Sequence, residues 1–169
     1  AYGIAVDSTS VYFTGGYLRK VGKNGGTVTT LTEGVSSTDI AVDSTSVYWL
    51  GSDSVNKISI NGGAVTTLVS GPRSPSGIAV DSTSVYWTEP FGGSVKKIGV
   101  NGGAVTTLAS GLNSPTHIVV DPTNVYWIEN GAVKKVGING GTITTLTWGL
   151  SNSYSIAIDS SSVYWTEPS

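Results

Sequence analysis

Five aspartates recur along this chain at nearly equal intervals: Asp7, Asp43, Asp81, Asp121 and Asp159, separated by 36, 38, 40 and 38 residues. Carboxylates gathered at one place could hold Ca²⁺, which takes six to eight oxygen ligands. The competing chemistry is local. Each Asp opens a run such as Asp81-Ser82-Thr83-Ser84, and an Asp carboxylate accepts backbone N–H bonds two residues on, closing a turn. Repetition favours the turn, because a site built on a repeated scaffold breaks the repeat and these residues obey it. Residues that do break it are Arg73, His117, Trp148, Tyr17, Phe91, Asp53 and Tyr154, in linkers, turns or strand ends where the other copies are small or polar. Loops on a rigid scaffold carry binding residues, and exposed aromatics with Arg anchor interfaces. Trp148, aligned with glycines such as Gly71 and Gly111, is either such an anchor or packing under the linker. His117 shares its position with Gly3, Asp39, Gly77 and Ser155, just ahead of a strand, and reads as a linker residue.

Other chemistry is thinly supplied. With one histidine and no cysteine, HExxH, His-rich and thiolate metal sites are ruled out. There is no P-loop, no GxGxxG after a strand, no GxSxG elbow and no EF-hand loop. Neither a catalytic residue, nor a metal, nor a cofactor is assigned. Charged residues are 12% of the chain, about half the usual ~25%. Its lysines are dispersed over the repeats, whereas nucleic-acid binding needs them clustered. No apolar run approaches the ~20 residues of a membrane span. A low-charge, Ser/Thr/Gly-rich, sulfur-free composition leans towards an extracellular or cell-surface setting.

The elements that carry these residues repeat with them. In the third copy four strand-like segments, Gly77–Val80, Val85–Glu89, Val95–Val100 and Ala104–Ala109, are rich in Val, Ile, Thr, Tyr or Trp and bounded by turn residues. Asn-Gly-Gly at Asn24, Asn61, Asn101 and Asn139 reads as a hairpin turn in which Asn-Gly supplies positive φ. On the second strand Val85 and Trp87 point one way, Tyr86 and Thr88 the other. Four antiparallel strands per period of about 40 residues, with no helix pattern, describe one blade of a β-propeller. The reading is an all-β propeller with blades at about 3–38, 39–76, 77–116, 117–154 and an incomplete 155–169, so four complete blades and half of a fifth. The Ile-Ala-Val strand lies nearest the axis, and Trp and Tyr pack the two opposite blade faces.

Ile-Ala-Val-Asp, then Val-Tyr-Trp-Thr-Glu, Val-Lys-Lys-Ile and Asn-Gly-Gly, recurring in register, resemble the YWTD repeat of the low-density-lipoprotein-receptor class, above all bacterial secreted versions of it. The resemblance implies a six-bladed, usually extracellular propeller that serves as a scaffold or protein-binding platform. It also implies that the acidic residue closing the motif ties neighbouring blades together. That residue is Glu89, Glu129 and Glu167 here, and Gly15 and Gly51 in the first two copies; Phe13 replaces the first Trp.

The functional expectation is a non-catalytic extracellular scaffold that binds a protein or glycan on one propeller face, through Trp148, Arg73, His117, Phe91, Tyr17 and Tyr154. One alternative is a structural subunit, part of a longer propeller or an open arc, whose strand edges pair with other chains or with itself. Another is a metal-dependent enzyme of the lactonase or lyase propeller type.

Overall fold

Period-2 alternation and turns at fixed offsets fold as four meanders and a hairpin. The computed structural model describes residues 3–37, 39–151 and 155–167. The first sheet is β1 (Ile4–Val6), β2 (Ser10–Thr14), β3 (Gly16–Gly22) and β4 (Thr29–Val35); the second is β5 (Ile40–Val42), β6 (Ser46–Leu50), β7 (Ser54–Ser59) and β8 (Thr66–Ser70). The third is β9 (Ile78–Val80), β10 (Ser84–Glu89), β11 (Ser94–Gly99) and β12 (Thr106–Ser110); the fourth is β13 (Pro115–Val120), β14 (Asn124–Glu129), β15 (Ala132–Gly137) and β16 (Thr144–Trp148). β17 (Ser155–Ile158) pairs with β18 (Val163–Thr166) as part of a fifth. Pairing is antiparallel throughout, and the first strands β1, β5, β9, β13 and β17 lie side by side in chain order. Such an arrangement is a β-propeller, with blades radiating from those inner strands. No helix among the described residues is long and apolar enough to cross a membrane.

Blade stacking follows the alternation. Tyr48, Leu50 and Val55 of the second blade pack against Val85, Trp87 and Ile98 of the third. Tyr86 and Val95 of the third then meet Trp127, Val125 and Val136 of the fourth. Each Trp face thus lies on the Tyr face of the blade before it. Trp87 and Trp127 are fully buried, and truncating such a side chain typically costs about 3–5 kcal/mol. A lysine on three of the four third strands adds a polar tie: Lys20, Lys57 and Lys97 donate to the carbonyls of Ile60, Val100 and Ile138, one blade further on, at 2.6, 2.7 and 2.6 Å. Lys20, Lys57 and Lys97 are therefore interblade fasteners. On the outward face of the first blade, Ile4 and Val6 are exposed.

Two turns differ in kind. The Asp turn forms as expected: Asp81 Oδ1 accepts the N–H groups of Thr83 and Ser84 at 2.7 and 2.8 Å and the Thr83 hydroxyl at 2.8 Å. Its Oδ2 accepts the Tyr86 hydroxyl at 2.7 Å, a bond the sequence reading did not contain. The same lock joins Asp7 to Tyr12, Asp43 to Tyr48, Asp121 to Tyr126 and Asp159 to Tyr164. Asn-Gly-Gly is not a two-residue hairpin, however. Gly102 N–H donates to the Gly99 carbonyl at 2.8 Å, so Val100 and Asn101 form the turn. Positive φ then falls on Gly102 and Gly103, at 89° and 115°, not on Asn101. Pairing resumes only at Thr106, two residues later than the expected Ala104, and a bulge at Val95/Lys96 absorbs the change of register.

Candidate functional site

In each meander the first strand starts, the second strand ends, the third starts and the fourth ends on one side of the propeller. Asp turns and Asn-Gly-Gly loops occupy the opposite side. Repeat-breaking residues therefore collect on a single face: Tyr17 at the start of β3, Asp53 before β7, Arg73 in the linker after β8, Phe91 between β10 and β11, His117 in β13 and Trp148 at the end of β16. Phe91 and Trp148 are 86% and 78% exposed, so Trp148 is not tucked under a linker. Arg73 and Asp53 are exposed as well. Tyr17 is half-exposed, with the Arg19 guanidinium 4.4 Å from its ring centroid. Tyr154 lies outside the described residues.

At the centre of this face the inner strands begin around a cavity of about 500 Å³. One register position supplies its rim in all five blades: Gly3, Asp39, Gly77, His117 and Ser155. Apolar wall comes from Ile4, Ile78, Ile118, Val119 and Ile156. His117 is not a linker residue. β13 begins earlier than the other first strands, at Pro115, and His117 is the extra residue of a bulge between Thr116 and Ile118, with φ of 42°. A histidine in the left-handed region costs backbone energy, and such strain collects at functional sites. Bulges likewise re-aim side chains. Its Nδ1 is buried without a hydrogen-bond partner, and burial lowers the imidazole's pKa below the usual 6.5, favouring the neutral form. Gly77, between the Asp39 and His117 positions, packs closely on the fourth blade: an added Cβ would stand 3.0 Å from the backbone nitrogens of His117 and Ile118.

Asp39 is the residue that sequence reasoning missed, and its signal was visible. It occupies the same position as His117, where the repeat offers Gly or Ser, yet only the histidine was singled out. Asp39 Oδ2 accepts the Ile78 N–H at 2.9 Å, reaching across to the third blade. Desolvation pushes its carboxyl up to about 6 from 3.8, against the opposing pull of the N–H groups of Ile78 and Ile40. No Lys or Arg lines the cavity among the described residues.

The repeating carboxylates behave differently. For Asp7, desolvation acts upward, but donors from Thr9, Tyr12 and Ser10 outweigh it and bring the carboxyl to about 2. Asp121 also reaches about 2, and Asp43 and Asp81 are lowered by the same set of bonds. Burial and the paired Asp raise Tyr12 and Tyr126 to about 12, and raise Tyr48 and Tyr86 above the usual 10 as well. Their oxygens already accept four hydrogen bonds, and no cluster of three or more metal-ligating side chains occurs among the described residues. These aspartates cap turns.

The motif glutamates match what the resemblance implied only in part: Glu129 ties its blade to the preceding one, and Glu89 bonds within its own. Glu89 accepts the Trp87 indole N–H at 2.9 Å and pairs with Lys96 at 3.0 Å, all within one blade. Glu129 does the same for Trp127 and Lys134, and also accepts the Asn113 N–H of the preceding linker at 2.8 Å. Where Gly51 replaces the Glu, Asn56 replaces the Lys; where Gly15 does, Phe13 brings no indole N–H and Arg19 turns to Tyr17.

No family model matches the chain, and no curated protein matches it. Solved structures do. The nidogen–laminin complex contains a chain that superposes with a TM-score of 0.80 at 22% identity, over 94% of this chain and 70% of that one. Virginiamycin B lyase from Staphylococcus aureus, as a catalytically inactive histidine-to-alanine variant with quinupristin, superposes with a TM-score of 0.82 at 16% identity, over 98% of this chain. A selenomethionine form of that lyase gives 0.81 at 15%. The propeller fold is shared. This chain spans 62% of the length of either lyase chain. At these identities the likeness is one of fold, and it runs equally to a protein complex and to enzymes.

Proposed function

We propose that this chain is a non-catalytic binding propeller of the extracellular or cell-surface kind, which takes a protein or glycan ligand on its repeat-breaking face. One observation carries the reading. Tyr17, Asp53, Arg73, Phe91, His117 and Trp148 all fall on that face, while the Asp turns and Asn-Gly-Gly loops of the opposite face depart from the repeat chiefly at Lys23, Pro122 and Asn124. Solvated Phe91 and Trp148 are the large apolar anchors. The nidogen neighbour, found in a complex with laminin, supports the use of such a propeller for protein binding.

The test is binding to arrays of glycans and extracellular proteins by the wild type, by a Phe91→Ala/Trp148→Ala variant, and by Val65→Ser/Val105→Ser on the opposite face. Binding lost only in the aromatic variant supports the proposal. Binding lost only in the valine variant overturns it.

A second reading, a lyase-type enzyme, rests on Asp39 and His117 lining one cavity and on the lyase neighbours. Incubation with quinupristin, followed by liquid chromatography with fragment-ion analysis, separates the two, because ring opening by elimination yields an isomer of the same mass. Under the binding reading quinupristin elutes and fragments unchanged; a ring-opened isomer that no longer forms in His117→Ala makes the chain an enzyme.

A further inference from the structure

We infer that the central cavity is a subsite for a primary ammonium group on a short alkyl chain, with Asp39 as its counter-charge. This deepens the proposed binding function and rests on it. Three features lead to a cation with an apolar body. Asp39 provides the cavity's one charged side chain among the described residues, and its Oδ2 spends one bond on the Ile78 N–H, leaving Oδ1 for a ligand. His117, held neutral by burial, adds no positive charge against it. Ile4, Ile78, Ile118, Val119 and Ile156 supply apolar wall suited to methylene groups, beside the polar rim of Ser76, His117 and Ser155. An anion would face a carboxylate with no compensating cation, and a neutral alcohol would leave the carboxylate desolvated without a partner.

Asp39 stands at the head of β5. The flanking strands β1 and β9 bring Gly3, Ile4, Gly77 and Ile78 to it, none of them titratable, so His117 is the other ionisable group of the cavity. Because the Asp39 carboxyl titrates near 6, an ammonium ligand should bind at pH 7.5 and weaken about tenfold at pH 5.0, where about nine-tenths of the carboxyl is protonated.

The chemistry has two sources, a free amine or a lysine side chain, and the probes are chosen to tell them apart. NMR titrations of the wild-type chain would use n-butylammonium, n-butanol and n-butyrate, with an acetylated Gly-Lys-Gly amide as the peptide form. Butylammonium binding at pH 7.5 that exceeds butanol and butyrate at least tenfold supports the proposal. So does either order of butylammonium and peptide, a tighter peptide naming lysine as the source. Asp39→Asn should abolish the preference, and Glu33→Gln, which removes an exposed carboxylate from β4, should keep it. Equal binding of amine and alcohol, tighter butyrate, or an unaltered preference in Asp39→Asn overturns the proposal. The solute comparison on the wild type needs no variant to fold. Failure here with the aromatic anchors still required on the array would remove the ammonium subsite and leave the binding face intact.

Discussion

Replacing Asp39 by Asn should stabilise the protein at neutral pH and not at acid pH. In the folded state the carboxyl is held near 6 by desolvation, against 3.8 in an unfolded chain. A carboxyl with a raised folded pKa keeps its proton while the unfolded chain loses its own, so stability falls as pH rises from about 4 to about 6 and stays low above. At 1.36 kcal/mol for each tenfold step, that interval corresponds to at most about 3 kcal/mol. Asp39 is half-buried, so solvent screening reduces this to about 1–2 kcal/mol. Asparagine keeps an oxygen for the Ile78 N–H and carries no charge to desolvate. Urea unfolding of both proteins at pH 7.5 and pH 4.0 reads the difference directly. The expected gain is about 1–2 kcal/mol at pH 7.5, shrinking towards zero at pH 4.0. A variant less stable than the wild type at pH 7.5, or a gain independent of pH, would refute the assignment of a strained carboxylate. Natural retention of a destabilising charge would then need no ligand to explain it.

Two further outcomes follow from the Asp–Tyr locks. Tyr86→Phe removes a 2.7 Å bond from a buried ring to an ionised carboxylate and should cost about 1.5–3 kcal/mol in urea unfolding, whereas Tyr164→Phe, at an exposed ring, should leave the midpoint unchanged. Asp7 and Asp121, both at about 2 when folded, contribute stability that is present above 3.8 and lost as pH falls towards 2. Asp39 acts in the other direction, so Asp39→Asn should remove the part of the stability loss that the wild type shows between about pH 4 and 6, leaving the opposite contribution of His117, which grows as pH rises towards 6.5.

What the sequence determined by itself was the blade. Alternating Val-Tyr-Trp-Thr, an Asp ahead of a Ser/Thr run and a Gly-Gly loop are local instructions, each acting within a few residues, so strand order, the two packing faces and the Asp turn were all legible. Reading across copies even separated obedient residues from deviant ones, and among the deviant ones Tyr17, Asp53, Arg73, Phe91, His117 and Trp148 fell on one face. The register of the fourth strands was not legible, since positive φ moved from Asn101 to the two glycines and a bulge took up the slack. Tertiary structure decided the rest, for a physical reason: the cavity belongs to no single repeat. Asp39 and His117 are far apart in the chain and meet only because inner strands from five blades converge on one axis. The Asp39 shift needs walls from other blades to desolvate it, and the His117 bulge is visible only once β13 is paired with β14.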